Sequence, residues 1–219
     1  MTHTVPLLVL RAGVVAFHGQ PVFSPCSFFC GAGSITALTG LAHAGKTVLL
    51  KALAGLIPFS NGVLHFENRH VGGLSSENGI SWKEYQHHVA MVFQNNALFD
   101  DMSVFENVAF PMVQQSVAWP VIEQDVCAIL KRVGLVSAAH KMPWELSGGM
   151  KKRVAVARAM AKKPKILLLD EPTAGLDPSL SVSVMQYVQD FVRERTMIAL
   201  LVSHDAALVA KFCDTEIPL

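Results

Sequence analysis

A lysine–threonine pair at 46 and 47, adjacent acids at 170 and 171 and a histidine at 204 are the side chains of this 219-residue sequence best set for chemistry. Lys46 and Thr47 close the stretch GLAHAGKT, residues 40–47. Its glycines let the backbone curl until successive N–H groups face a phosphate, and a helix beginning there adds its positive end. Lys46 can then reach the β and γ phosphates of a nucleotide, and the Thr47 hydroxyl can ligate Mg²⁺. Asp170 and Glu171 end the apolar run KILLLDEP. Asp170 suits a Mg²⁺ ligand and Glu171 a base that polarises a water for attack on the γ phosphate. Pro172 biases Glu171 toward an extended backbone and stops the strand.

A third stretch, ELSGGMKKRVAVARAM at 145–160, opens a helix with Ser147 as cap. Gly148 and Gly149 leave its first N–H groups approachable, which suits a phosphate. The run Lys151, Lys152 and Arg153 reads as a solvated helix face.

These residues need elements that bring them together. SITALTG (34–40) and VAMVFQ (89–94) read as strands, and GKTVLLKALAGLI (45–57) as a helix with apolar residues at helical spacing. KILLLD and MIALLVSH are continuous apolar runs, the mark of strands buried on both faces of a parallel sheet. In such sheets ligands gather at the carboxyl ends of the strands, where Gly40, Asp170 and His204 all fall. Short β-type runs fill the first thirty or so residues, and from about 95 to 146 the texture turns helical, punctuated by Pro111, Pro120 and Pro143. The fold class is therefore α/β with a helical insert.

Composition narrows the function. Hydrophobic residues make up 51% and charged residues 16% of the chain, and the mean hydropathy is +0.37. No run of about 18 uncharged apolar residues is present, so the reading is a soluble domain with a greasy docking face rather than a membrane span. A net charge of +1 gives no electrostatic case for nucleic acid. Cys26, Cys30, Cys127 and Cys213 lack metal-type spacing, and CSFFC reads as apolar structure. The N-terminal MTHTVPLLVLRAG lacks the features of a secretion signal.

In order along the chain stand the phosphate loop (40–47), Gln94 in MVFQNNALF, LSGGM (146–150), the strand ending in Asp170–Glu171, AGLDP (174–178) and His204 in LVSHD. This series resembles the nucleotide-binding subunit of an ABC transporter, with Walker A, Q-loop, signature, Walker B, D-loop and H-loop in the family's order over about residues 7–215. The resemblance implies a P-loop NTPase fold spanning 1–219 as one domain. It would have a RecA-like parallel-sheet core, an N-terminal antiparallel β subdomain and a helical subdomain inserted at about 95–160. ATP and Mg²⁺ are the implied cofactors. Nucleotide contacts fall on Gly40, Leu41, Ala42, His43, Ala44, Gly45, Lys46, Thr47, Val48 and Gln94, and metal contacts on Thr47, Gln94 and Asp170. Glu171, His204 and Gln94 are the implied catalytic residues. Ser147, Gly148 and Gly149 would close on the nucleotide of a second, head-to-tail copy, with Asp177 of the D-loop at the interface. A transmembrane permease is the other implied partner, received by an apolar patch of Leu98, Phe99, Met102 and Phe105 or else leaving those residues to the insert's core. Such a subunit sits on the cytoplasmic face of the inner membrane.

Met150 at the end of the signature and ALFDDMSVFENVA resemble the Mla/Mce-type phospholipid-transport ATPases, which implies lipid as cargo and a periplasmic lipid-binding Mce-type subunit as a further partner. Other importer or exporter ATPases share the second stretch. The alternatives are such a transporter ATPase, a hydrolysis-impaired regulatory subunit, and a soluble ABC protein of translation or repair. The chain departs from the family at His43, where glycine is usual, and at Val48, where a hydroxyl is usual. Phe17 or His18 takes the place of the ring that stacks on adenine. The final strands are expected to be absent after about residue 215, changing any dimer contacts they make.

Overall fold

The computed structural model describes residues 6–72 and 79–219. Residues 1–5, which carry part of the secretion-signal reading, lie outside them. Two sheets share the chain. The first uses β1 (Pro6–Val14), β4 (Cys26–Gly31), β6 (Asn61–Phe66), β7 (Arg69–Val71) and β8 (Gly79–Ile80), in the order β4-β1-β6-β7-β8. All its pairings are antiparallel except β7 with β8. A small hairpin, β2 (Ala16–Phe17) with β3 (Gln20–Pro21), projects between β1 and β4 in sequence.

The second sheet is wholly parallel. Its strands are β5 (Ile35–Thr39), β9 (Val89–Val92), β10 (Ile166–Asp170), β11 (Ile198–Val202) and β12 (Thr215–Pro218), ordered β12-β5-β11-β10-β9. Every residue of β10 and β11 is buried. Successive side chains point to opposite faces, and the packing follows. Ile166, Leu168, Ile198 and Leu200 meet Leu49, Leu50 and Leu53 of α1 (Lys46–Leu53) and the antiparallel sheet. Leu167, Leu169, Ala199 and Leu201 meet the helices on the other side. Burying each Leu or Ile contributes about 1.5–3 kcal/mol, so the strands that end at the site are anchored from both faces.

The remaining helices are α2 (Trp82–His87), α3 (Val104–Gln114), α4 (Trp119–Arg132), α5 (Gly148–Ala161), α6 (Pro178–Glu194) and α7 (Ala206–Phe212). Helix α1 ends at Leu53, short of the expected 57, because Gly55 turns left-handed at φ 70° and the Gly55 and Leu56 N–H groups close the end on the Ala52 and Lys51 carbonyls. Tyr85 of α2 donates its buried hydroxyl to the Leu53 carbonyl and Gln86 donates to that of Gly55. Pro111 lies inside α3 rather than ending it. That helix is fixed at its start by a Ser103/Glu106 capping box. Asn107, fully buried, donates to the carbonyls of Phe99, Met102 and Ser103 and so shapes the loop before the helix. Leu98 and Phe105 pack on the helical core, and Phe99 is the exposed member of the expected apolar patch.

One expectation is corrected here. The chain does form a strand after residue 214: Thr215–Pro218 pairs in parallel with β5 through Thr36↔Thr215 to Thr39↔Pro218. Thr-Glu-Ile-Pro is short and largely exposed, with Ile217 alone half-buried against the core, so its backbone pairing rather than its side-chain pattern makes it a strand. Among the described residues no helix is long and apolar enough to cross a membrane.

Candidate active site

Strand β5 delivers the chain to Gly40, and residues 40–45 curl before α1 starts at Lys46. The curl depends on Gly45, the helix N-cap, at φ 92°. A Cβ there would stand 2.8 Å from Phe23 and 2.9 Å from Val22, so the turn also needs the absence of a side chain. His43 sits at φ 65° in the same loop, exposed to solvent. A left-handed backbone at a non-glycine residue costs about 1–2 kcal/mol, so the departure at this position is strained. Val48 is half-buried against the core cluster shared with the antiparallel sheet. Lys46 is buried and folds back on its own loop, donating to the carbonyls of Gly40 (2.9 Å) and Leu41 (2.7 Å). Leu41, Ala42 and His43 are exposed, and Ala44 is half-buried.

Thr47 on the first turn of α1 donates to Asp170 Oδ1 at 3.0 Å, joining the loop to the end of β10. Burial raises the Asp170 pKa, opposed by the Thr47 hydrogen bond and by Lys51 and Lys152. Burial likewise raises Glu171, opposed first by His204. Glu171 Oε1 lies 3.6 Å from His204 Nε2, too far for a hydrogen bond, and it is buried without a partner. An uncompensated carboxylate oxygen costs free energy unless something binds there. His204, at the end of β11, is largely exposed. Gln94, Glu171, Ser203 and His204 line one cleft of about 390 Å³.

Glu171 departs from the extended backbone that Pro172 favours: its φ is 51°. Its N–H donates to the Val202 carbonyl, and its own carbonyl accepts from Lys152 Nζ at 2.7 Å. These two tertiary bonds override the local preference. Lys152 also corrects the reading of the KKR run as a solvated face. It is buried, and its ammonium makes a second bond, to the Gln94 carbonyl at 3.0 Å. Arg153 is held too, donating to the Val133 carbonyl. Periodicity alone does not single Lys152 out: α5 is buried on most sides, and Lys151 and Arg153 also stand four residues before the buried Ala155 and Ala157.

Ser147 caps α5, accepting from Met150 N–H at 3.2 Å. Ser147 and Gly148 are exposed, and Gly149 abuts Leu176 of the D-loop. Among the described residues no hydrogen bond joins 147–149 to 40–48. Asp177 caps α6 by accepting from Leu180 N–H, as the Asp-Pro pair implied. Phe17 and His18 form the tip of the β2–β3 hairpin, both exposed, with His18 at φ 51° and Gly19 at φ 79° completing the turn. The hairpin continues into Val22 and Phe23, which meet Gly45.

The residues present fit a magnesium nucleotide. A hydroxyl and a carboxylate in contact are hard oxygen donors, a buried lysine stands in a loop capped by a helix start, and Glu171 offers a buried oxygen without a partner.

The comparisons with known proteins agree with this geometry. The family model for "ABC transporter" matches residues 23–174, and the chain belongs to that family. The methionine import ATP-binding protein MetN 1 of Pseudomonas savastanoi pv. phaseolicola is 36% identical over 201 residues, 91% of this chain and 59% of the relative. The putative 2-aminoethylphosphonate import ATP-binding protein PhnT of Salmonella typhimurium is 36% identical over 199 residues, 90% of this chain and 52% of the relative. The chain thus spans a little over half the length of these curated relatives. Among solved structures, cbiO1 from Clostridium perfringens, part of the ABC transporter complex cbiONQ, has a TM-score of 0.84 at 29% identity, covering 97% of this chain and 84% of that one. The dimeric post-hydrolysis state of the ATP-binding cassette MJ0796 bound to ADP and Pi has a TM-score of 0.85 at 24% identity, covering 97% and 94%, a likeness of fold. The expected fold class, a P-loop ABC ATPase with a parallel core and an antiparallel sheet, stands. The expected Mla/Mce lipid branch finds no support in these relatives. It rested on two short stretches, whereas the similarity to import ATPases runs over nine-tenths of the chain.

Proposed function

We propose that this chain is the ATP-hydrolysing subunit of a membrane importer, working as a head-to-tail pair beneath a separate permease on the cytoplasmic face of the membrane. The observation that carries the reading is the cluster in which Thr47 bonds Asp170 beside a Glu171 oxygen that is buried and unpartnered. When bound, Mg·ATP supplies the phosphoanhydride bond to be broken and a metal that draws charge from its phosphates. Loop residues 40–48 would hold those phosphates through backbone N–H groups, with Lys46 turning its ammonium from the Gly40 and Leu41 carbonyls toward them. Thr47, Asp170 and Gln94 would hold the metal. Glu171 would orient the attacking water and take its proton at Oε1, and His204 would steady the γ phosphate. Phe17 or His18 would meet the adenine. Ser147, Gly148 and Gly149 would serve the nucleotide of the second copy.

A groove of about 860 Å³ lined by Met91, Phe93, Phe99, Phe110, Arg158 and Lys162 suits a permease segment. Import of a small solute is the cargo reading that the similar import ATPases support. A second reading, phospholipid movement with an Mce-type partner, keeps Met150 and the stretch 97–109 in its favour. Turnover of the reconstituted complex stimulated by phospholipid and by no small solute would select it.

Glu171→Gln tests the enzymatic claim. It should lower ATP turnover at least 100-fold while fluorescent-ATP binding stays within about threefold, since a positioned base contributes about 10²–10⁴-fold. Unchanged turnover would refute the assignment.

A further inference from the structure

Helix α5 carries the Ser147–Gly149 start, exposed at Ser147 and Gly148, at one end and, just over one turn further, the buried ammonium of Lys152. Two of the three donors of that ammonium go to main-chain carbonyls, those of Gln94 at 3.0 Å and Glu171 at 2.7 Å. Both acceptors lie where a strand has ended and the backbone turns irregular. Gln94 follows β9, with Asn96 and Ala97 at φ 66° and 46°, and Glu171 follows β10 at φ 51°. Each segment has holders of its own, Val202 and Ala174 for the Glu171 main chain and Arg158 for the Asn96 carbonyl, but the Lys152 ammonium bonds both segments at once and so fixes their relative position. The stem of Lys152 shares the buried stripe of α5 with Val156 and Met160, so the bridge moves with the helix.

We propose that Lys152 is a positioning residue for hydrolysis: it ties the signature helix to the main chain of both Gln94 and Glu171, so that α5 sets where the metal-facing loop and the base stand. This rests on the proposed function and deepens it. The helix whose start would close on the partner copy's nucleotide is the one that holds the base for the chain's own. Lys152 touches neither substrate nor metal in this scheme. Its charge also bears on the two neighbouring acids, since Lys152 stands among the groups opposing the burial-driven rise at Asp170 and Glu171.

Lys152→Met keeps the apolar stem and removes the donors, and Lys152→Arg keeps charge and donors. The test measures amide hydrogen exchange of the full, nucleotide-free chain alongside steady-state ATP turnover. In Lys152→Met, exchange should rise at least fivefold in peptides covering 93–98 and 170–176 and stay at the wild-type level in β1 and β6. Its kcat should fall at least tenfold with KM for ATP within threefold, and Lys152→Arg should recover most of both. Wild-type exchange in the two segments, exchange raised across the whole molecule, or an arginine variant no better than the methionine one would each overturn the proposal. Should Lys152→Met fail to fold, Lys152→Ala is read by the same criteria. Wild-type chain that does not turn over ATP would sink the functional reading along with this one. Normal wild-type turnover with an unaffected Lys152→Met would sink this inference alone.

Discussion

The loop at 40–48 and the helix start at 147–149 are both built to face a phosphate, yet the chain treats them differently. The first is closed from within. Lys46 is buried and bonded to its own loop, Thr47 is bonded to Asp170, and Gly45 is pressed against Val22 and Phe23. The second faces solvent, with Ser147 satisfying only its own helix through Met150 N–H. A helix N-terminus with approachable N–H groups attracts anions, but this one has no hydrogen bond to the loop among the described residues. The contrast is what the proposed head-to-tail pair requires, each copy holding one half of its own and lending the other.

The comparison can be broken most sharply at Lys46. Lys46→Ala should abolish nucleotide binding by the single chain, at least a 100-fold loss in fluorescent-ATP affinity, because the loop's one buried cation is removed. Binding within threefold of wild type would mean that the closed half is not the primary nucleotide site. Next in size is Gly148→Asp. No heavy atom lies within 4 Å of an added Cβ at Gly148, so the fold should tolerate the change. Single-chain ATP affinity should stay within threefold while turnover falls at least 50-fold, since a carboxylate would sit where a second copy's phosphate must approach. Equal loss of affinity and turnover would mean that 147–149 serves the chain's own loop. The smallest effect is expected at His43→Gly. Relief of the left-handed backbone is offset by the freedom glycine gains when unfolded, so ATP affinity should rise by at most about fivefold or stay level, measured by titration. A large loss would show that the imbidazole contacts nucleotide.

The two halves were also unequally legible in the sequence. The closed half declares itself because glycine spacing, a lysine and an apolar strand before an acid are each local signals, and the parallel sheet brings them together as its topology requires. Asp177 followed by Pro178 likewise reads as a cap and is one. What escaped was tertiary. Lys152 sits in a run of three charges that looks solvated, and the helical period does not separate it from its neighbours, since residues 155, 156 and 157 are all buried. The Gln94 and Glu171 carbonyls that take its ammonium come from distant parts of the chain. The conformation of Glu171 could not follow from Pro172, because Val202 and Lys152 hold it from distant parts of the chain. Strand β12 is illegible in the sequence because its four residues offer one half-buried apolar side chain, Ile217, and no alternating pattern, so pairing with β5 defines it. The apolar stretch after Gln94 divides for a similar reason: packing sends Leu98 and Phe105 to the core and leaves Phe99 in the groove.

The most direct test mixes two dead proteins. Lys46→Ala lacks the closed half and keeps the exposed one, and Gly148→Asp is the reverse. If sites form between copies, a mixed pair has one intact site out of two. An equimolar mixture should then recover about a quarter of wild-type ATP turnover, half the pairs being mixed and half their sites working. Turnover no higher than the average of the two variants measured alone would contradict the account.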